Sequence, residues 1–190
     1  MTIAIQRLNE NVRATLTAHF LALPMRDRCL RFGTSLAADA IAAYVDRINF
    51  VRDAVFGIHD DRRVLIGAAH VAFDGDLAEL GLSVLPAHRG CGLGGAPFER
   101  AMANARNRRI PRLIMHFLWG NAPIMRIARR FRMNIVADGC DAHAHLDLPP
   151  IPLVSRATEL ATDTFGLYDR ARTALVAAWR RQGRAGTPIT

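Results

Sequence analysis

Apolar and polar positions along this chain repeat with more than one period. Near the start, IAIQR (residues 3–7) has the alternation of a short strand. Val12, Leu16, Phe20 and Leu23 then recur near helical spacing, with Asn9 or Asn11 placed to cap the helix. The polar stretch PMRDRCLRFGTS (24–35) carries no such stripe and predicts a loop. Ile41, Tyr44, Val45 and Ile48 restore the stripe, which predicts a second amphipathic helix with Thr34 or Ser35 as its cap.

From residue 54 the period shortens. AVFGIHD (54–60), RVLIGAAHVAF (63–73) and AELGLSVLP (78–86) are strand-like runs, and HDDR and DGD between them suit tight turns. Three runs joined this way predict an antiparallel meander. Phe98, Ala101, Met102 and Ala105 fit i, i+3, i+4, i+7 on a helix. Pro97 is tolerated only in a first turn, so that helix begins at residues 94–96. RLIMHFLW (112–119) predicts a buried strand. Asn121 can cap a further helix, with Pro123 in its first turn, reaching residue 130. MNIVAD (133–138) and AHAHLDL (142–148) predict two more strands.

PPIP at 149–152 separates a domain of residues 1–148 from an extension, 149–190. The extension is helical in pattern over 155–182, where Leu167, Ala171, Leu175 and Trp179 recur every four residues. Its stripe can pack on its own domain or on a second copy in a homodimer. The flanking arginines would also suit a membrane surface, but a moderate stripe with one tryptophan favours protein packing. GRAGTPIT reads as a flexible tail. Strands and helices interleaved in this order predict an α/β or α+β sheet covered by helices.

Composition narrows the class. A chain of 190 residues, 51% hydrophobic and 22% charged, is a folded domain rather than a disordered one. No apolar run approaches the roughly 18 residues of a membrane span. The opening MTIAIQRLNENVR lacks the apolar block of a secretion signal, so the expectation is a cytoplasmic protein without a membrane partner. Three scattered cysteines make no disulfide framework. The net charge of +8 rests on arginine alone, since the chain has no lysine. Such a surface attracts anions. Nucleic acid is disfavoured as the anion, because aromatics are 7% and scattered rather than set along a basic stripe.

The densest chemical signal is GCGLGG (90–95) just ahead of a helix. A P-loop would need a lysine for the terminal phosphates, and there is none. Gly90, Gly92 and Gly95 fit G-x-G-x-x-G, the dinucleotide fingerprint. That motif starts at a strand end and needs a carboxylate on the next strand, whereas here Pro86-Ala87-His88-Arg89 intervene and RIPRLIMHFLW holds no acid. A third possibility is a cradle for the pyrophosphate of an acyl carrier. Glycines let the backbone approach the ligand, and amide N–H groups at a helix N-terminus point at its phosphates.

LSVLPAHRGCGLG resembles motif A of the GNAT superfamily, the acyl-coenzyme A-dependent N-acetyltransferases, through Val84, Pro86, Arg89, Gly92 and Gly94. NAPIMRIARRFRM (121–133) resembles the motif B helix of the same superfamily. The resemblance covers roughly residues 1–148 and implies a mixed, mostly antiparallel central sheet of six to seven strands flanked by helices. It implies acetyl-CoA as co-substrate. The backbone of Leu82, Ser83 and Val84 would pair with the pantetheine arm. Arg89, Gly90, Cys91, Gly92, Leu93, Gly94 and Gly95 would hold the pyrophosphate, and Asn121 would sit beside the pantetheine or the departing thiol. The acceptor would be a primary amine on a small molecule or a protein lysine.

Further residues are candidates for the chemistry. Glu79 matches the glutamate that accepts the amine proton in many members, and period-two alternation puts it on one face with Gly81 and Ser83. The competing reading is a solvated strand end. His116 is a candidate acid or base, against the plainer reading of a structural histidine. RCLRFG (28–33) resembles a short pattern in bacterial protein-lysine acetyltransferases, which implies Arg28, Arg31 and Phe32 as acceptor contacts, against a packing turn closed by Gly33. CDAHAH (140–145) matches no common zinc spacing, so no metal is expected. Two departures stand out. Ala128 occupies the position of the usual tyrosine acid, and Arg132 replaces the glycine that ends the motif B helix. A member that binds acyl-CoA as a regulatory or interaction module, with little turnover, is therefore the alternative to an enzyme.

Overall fold

The structure, a computed structural model, describes residues 4–149. The helical extension expected over 155–182 lies outside them.

Seven strands form one sheet in the order β1-β2-β3-β4-β5-β7-β6. They are β1 (Ile5–Leu8), β2 (Ala54–His59), β3 (Leu65–Asp74), β4 (Leu77–Val84), β5 (Arg112–Leu118), β6 (Asn134–Asp138) and β7 (Asp141–Asp147). All neighbours are antiparallel except β4 and β5. The expected meander is β2-β3-β4, in register from Gly67–Val84 to Asp74–Leu77 across its second hairpin.

Five helices flank the sheet: α1 (Arg13–Leu21), α2 (Met25–Phe32), α3 (Ala38–Asp46), α4 (Gly95–Asn107) and α5 (Ala122–Arg130). Asn9 caps the short 3-10 turn Glu10–Val12 that leads into α1. The segment expected as a loop is the helix α2. It has no fully buried residue, so an apolar stripe could not announce it. Its signals are Pro24 just before it and Gly33 just after, the latter in the left-handed region at φ 77°. Helix α3 begins after Ala37 with no side-chain cap, so neither Thr34 nor Ser35 caps it.

Apolar burial falls on both faces. Leu80, Phe98, Ala101, Leu113 and Ala128 lie in the core between the sheet, α4 and α5. Leu16, Phe20, Ile41 and Val45 build a second core under α1 and α3. Phe98 is 0% exposed and stacks on Phe131 at 4.1 Å, which ties α4 to the end of α5.

Helix α5 ends in a Schellman motif. Met133 N–H donates to Ala128 O at 2.9 Å and Arg132 N–H to Arg129 O at 3.1 Å. Arg132 takes φ 55° there, so the left-handed turn is made without glycine and at a backbone cost of about 1 kcal/mol.

Candidate functional site

The site begins where the sheet opens. β4 and β5 pair in parallel only at Leu77–Arg112, Ala78–Leu113 and Glu79–Ile114. Both strands continue, to Val84 and Leu118, without pairing. One edge of Leu80–Val84 is thereby left without a strand partner, and an extended ligand can lie along it.

A cleft of about 300 Å³ fills the gap, bounded by Leu82, Ser83 and Val84, by the glycine loop, and by α2 and α5. Gly90 and Gly92 adopt φ 82° and 78°, which side-chain-bearing residues resist. Among the described residues the amides of 90–94 find no acceptor, and the first loop amide engaged again is Gly95, to Gly92 O at 3.1 Å. They sit at the N-terminus of α4, whose first-turn amides also lack helical partners. A Cβ on Gly94 would lie 2.8 Å from Ile127 Cδ1, so this glycine also lets the start of α4 press against α5. Arg126 adds positive charge to the cleft wall, and Arg130 stands beside it paired with Glu99 at 3.3 Å.

Two expected residues are already engaged. The Arg89 guanidinium pairs with Asp27 of α2 at 2.9 Å, and its Nε donates to Val84 O at 3.0 Å. It spans the mouth of the cleft rather than pointing freely into it. Asn121 is 5% exposed, accepts from Ile124 N–H as the cap of α5, and donates to Leu30 O at 3.2 Å. The first role was legible in the sequence, and the second pins α2 across the cleft. Cys91 is exposed, and its thiol lies 3.7 Å from Arg89 O.

A second cavity, about 690 Å³, continues along β4 from the first. Glu79, Leu80 and Gly81 line it, opposite His116 and Phe117 of β5. Glu79 and His116 are thus exposed residues brought to one cavity from two strands. Phe32 and Arg31 form its α2 wall, while Arg28 turns away and donates to Leu23 O and Leu21 O, closing the end of α1. His143 lines the cavity too, with its ring 6.1 Å from His116.

Sequence reasoning did not find a chain of hydrogen bonds behind this cavity. Arg31 Nη2 donates to Tyr44 Oη at 3.0 Å, Tyr44 Oη meets His70 Nδ1 at 2.7 Å, and His70 Nε2 meets Asp53 Oδ2 at 3.1 Å. Arginine only donates, so the Tyr44 hydrogen goes to His70 Nδ1 and the imidazole proton sits on Nε2, facing Asp53. Burial lowers the His70 pKa, with the charge of Arg31 adding to that and the contact with Asp53 opposing it. Burial alone would raise the Asp53 pKa, but hydrogen bonds from Arg52 and His70 hold it below the ordinary carboxylate value. His19 of α1 makes a parallel link: Nδ1 donates to Leu65 O and Nε2 accepts from Ser83 Oγ, both at 2.8 Å. Its pKa is pushed down to about 4 by burial, against the Leu65 hydrogen bond and with help from Arg31. The available hint for this chain was an aspartate directly ahead of an apolar strand and a lone histidine within the next one.

No protein-family model matches this chain, and no curated protein matches it. Solved structures do. The GNAT domain of S. lividans PAT superposes with a TM-score of 0.67 at 18% identity, over 78% of this chain and 92% of that one. A putative acetyltransferase, yncA from Salmonella typhimurium, solved with its cofactor acetyl-CoA, gives 0.60 at 18% identity over 80% and 97%. The PaiA N-acetyltransferase from Thermoplasma acidophilum, in complex with coenzyme A, gives 0.60 at 16% identity over 77% and 99%. The described domain therefore has the fold of the GNAT acetyltransferases, as its motif A expectation required.

Proposed function

We propose that this protein is an N-acetyltransferase that moves an acetyl group from acetyl-CoA to a primary amine on a small molecule or a protein. One observation carries this reading: the β4–β5 opening holds a cleft whose glycine-loop amides have no acceptor among the described residues, and it meets at Arg31 a second cavity lined by Glu79. Acetyl-CoA supplies an activated thioester. The amides of Gly90–Gly94 and the start of α4 suit its pyrophosphate, and the edge of Leu82–Val84, unpaired by a strand but with Val84 O accepting from Arg89, suits its pantetheine. Arg126 and Arg130 suit the remaining phosphate. Glu79 faces the acceptor side, where it draws a cationic amine inward; once that amine has lost one proton to solvent its lone pair attacks, and Glu79 takes the second proton as the N–C bond forms. The two neighbours solved with acetyl-CoA or coenzyme A support the assignment of the carrier.

Position 128 favours a second reading. Ala128 is 0% exposed in the core, so no hydroxyl stands where the superfamily's usual acid would be. A module that binds acyl-CoA without turning it over would share this geometry. Thermal shift with acetyl-CoA, followed by thiol release over a panel of amines, separates the two. Turnover that falls about 10²–10⁴-fold in Glu79→Gln supports the enzyme. Binding without turnover on every amine supports the module, and no binding rejects both.

A further inference from the structure

Among the described residues, Arg31 alone lines both cavities. Along β4, Leu82, Ser83 and Val84 belong to the cleft and Glu79, Leu80 and Gly81 to the acceptor side. Arg31 stands at the boundary between them. Its guanidinium lies against the backbone of Gly81: a Cβ there would fall 2.2 Å from Nη2 and 2.3 Å from Cζ. A glycine in mid-strand is explained by this approach.

The guanidinium is held but not neutralised. Phe32, Phe20 and Tyr44 surround it, with ring centroids 4.9, 5.7 and 5.7 Å from Cζ. Tyr44 accepts from Nη2, and Tyr44 is itself fixed by His70 and Asp53. No carboxylate pairs with Arg31 among the described residues. Its Nε–H is buried and has no acceptor. A positive group that lines both cavities, is fixed by three successive hydrogen bonds and has no carboxylate partner among the described residues is organised for negative charge that arrives later.

We propose that Arg31 is a catalytic residue whose guanidinium binds the thioester carbonyl oxygen of acetyl-CoA and stabilises the oxyanion formed on it, with Tyr44, His70 and Asp53 as positioning residues. This rests on the acetyltransferase reading and deepens it. A thioester reaching from the cleft toward the acceptor cavity must pass the boundary that Arg31 occupies. The amine lone pair attacks the carbonyl carbon, the N–C bond forms, and the C=O π pair moves to oxygen beside the guanidinium. As the carbonyl re-forms, the C–S pair leaves with the coenzyme A sulfur. The amine proton passes to Glu79 and the thiolate takes a proton from water. A cation beside the sulfur also lowers the need for the acid that Ala128 cannot supply.

The first test needs no known acceptor. Acetyl-CoA labelled with carbon-13 at the thioester carbonyl is bound to the full chain, and its C=O stretch is read by difference infrared spectroscopy. The band shifts to lower frequency on wild-type protein relative to free acetyl-CoA. The shift disappears in Arg31→Gln, survives in part in Arg31→Lys, and weakens in Tyr44→Phe, which keeps the ring packing and removes only the hydroxyl. On the best amine of the panel, kcat falls about 10²–10³-fold in Arg31→Gln, while the acetyl-CoA Kd changes only a few-fold. A wild-type band at the free frequency overturns the proposal even if the variants fail to fold. An equal band in wild type and Arg31→Gln overturns it as well, and so does an Arg31→Gln defect confined to the KM of a carboxylate-bearing acceptor. In each of these cases acetyl-CoA still binds and the acetyltransferase reading stands. Absence of acetyl-CoA binding to wild type removes both.

Discussion

Acid should weaken this fold through His19 before most carboxylates titrate. His19 is 3% exposed, and its ring bonds Leu65 O and Ser83 Oγ as the neutral form. Its pKa drops from 6.5 to about 4, first through burial and then through the Arg31 charge, with the Leu65 hydrogen bond opposing both. The unfolded chain therefore binds a proton below pH 6.5 that the folded chain refuses until near pH 4. Stability from this group is intact above pH 6.5 and lost as pH falls through that window. At about 1.4 kcal/mol per unit, the full loss is about 3 kcal/mol, and about 2 kcal/mol is gone between pH 7.5 and pH 5. Urea unfolding of wild type and His19→Gln at these two pH values isolates the effect. The glutamine amide can keep both hydrogen bonds but does not titrate. The wild type should lose about 2 kcal/mol more than the variant over the interval. Parallel losses in the two proteins would refute the assignment of His19 as a buried neutral base. The same proton would remove the acceptor for Ser83 Oγ, so acid should also disturb the β4 edge that lines the cleft.

Other expectations follow from single residues. Arg132→Gly relieves a left-handed backbone at the end of α5 and should raise stability by about 0.5–1 kcal/mol, read as a Tm increase of about 1–4 °C. Gly92→Ala puts a Cβ at φ 78° and should cost about 1 kcal/mol or more, weakening acetyl-CoA binding about 5-fold or more by calorimetry. Asp27→Asn frees Arg89 from its ion pair, so acetyl-CoA should bind a few-fold tighter, whereas Arg89→Ala should bind more weakly and with less dependence on salt.

The meander was legible because its strands are apolar runs bounded by short polar turns, and β5 and β7 because they alternate. The start of α4 was legible from Pro97, and the start of α5 from Asn121 and Pro123. Helix α2 was not, since Met25–Phe32 is mostly polar in sequence and has no fully buried residue; Phe32 packs on Phe20 and Tyr44, and Arg28 and Arg31 supply hydrogen bonds that hold it. The missing cap of α3 has a similar cause: the chain reaches Ala37 in an extended conformation, and Thr34 and Ser35 are too far upstream. The glycine loop stands out in the sequence because its glycines lie in one contiguous stretch. The chain from Arg31 through Tyr44 and His70 to Asp53 comes from a helix, another helix, a strand and the segment ahead of a strand. No local spacing encodes such a meeting. Tyr44 reads as core on its own helix, and it does pack there, but its hydroxyl end is what joins the chain.

Calorimetric titration of the full chain with acetyl-CoA tests the glycine-loop cradle most directly. Saturable binding near one equivalent, weakened by Gly92→Ala and by added salt, is the result expected. A flat titration, or binding that Gly92→Ala leaves unchanged, would contradict it.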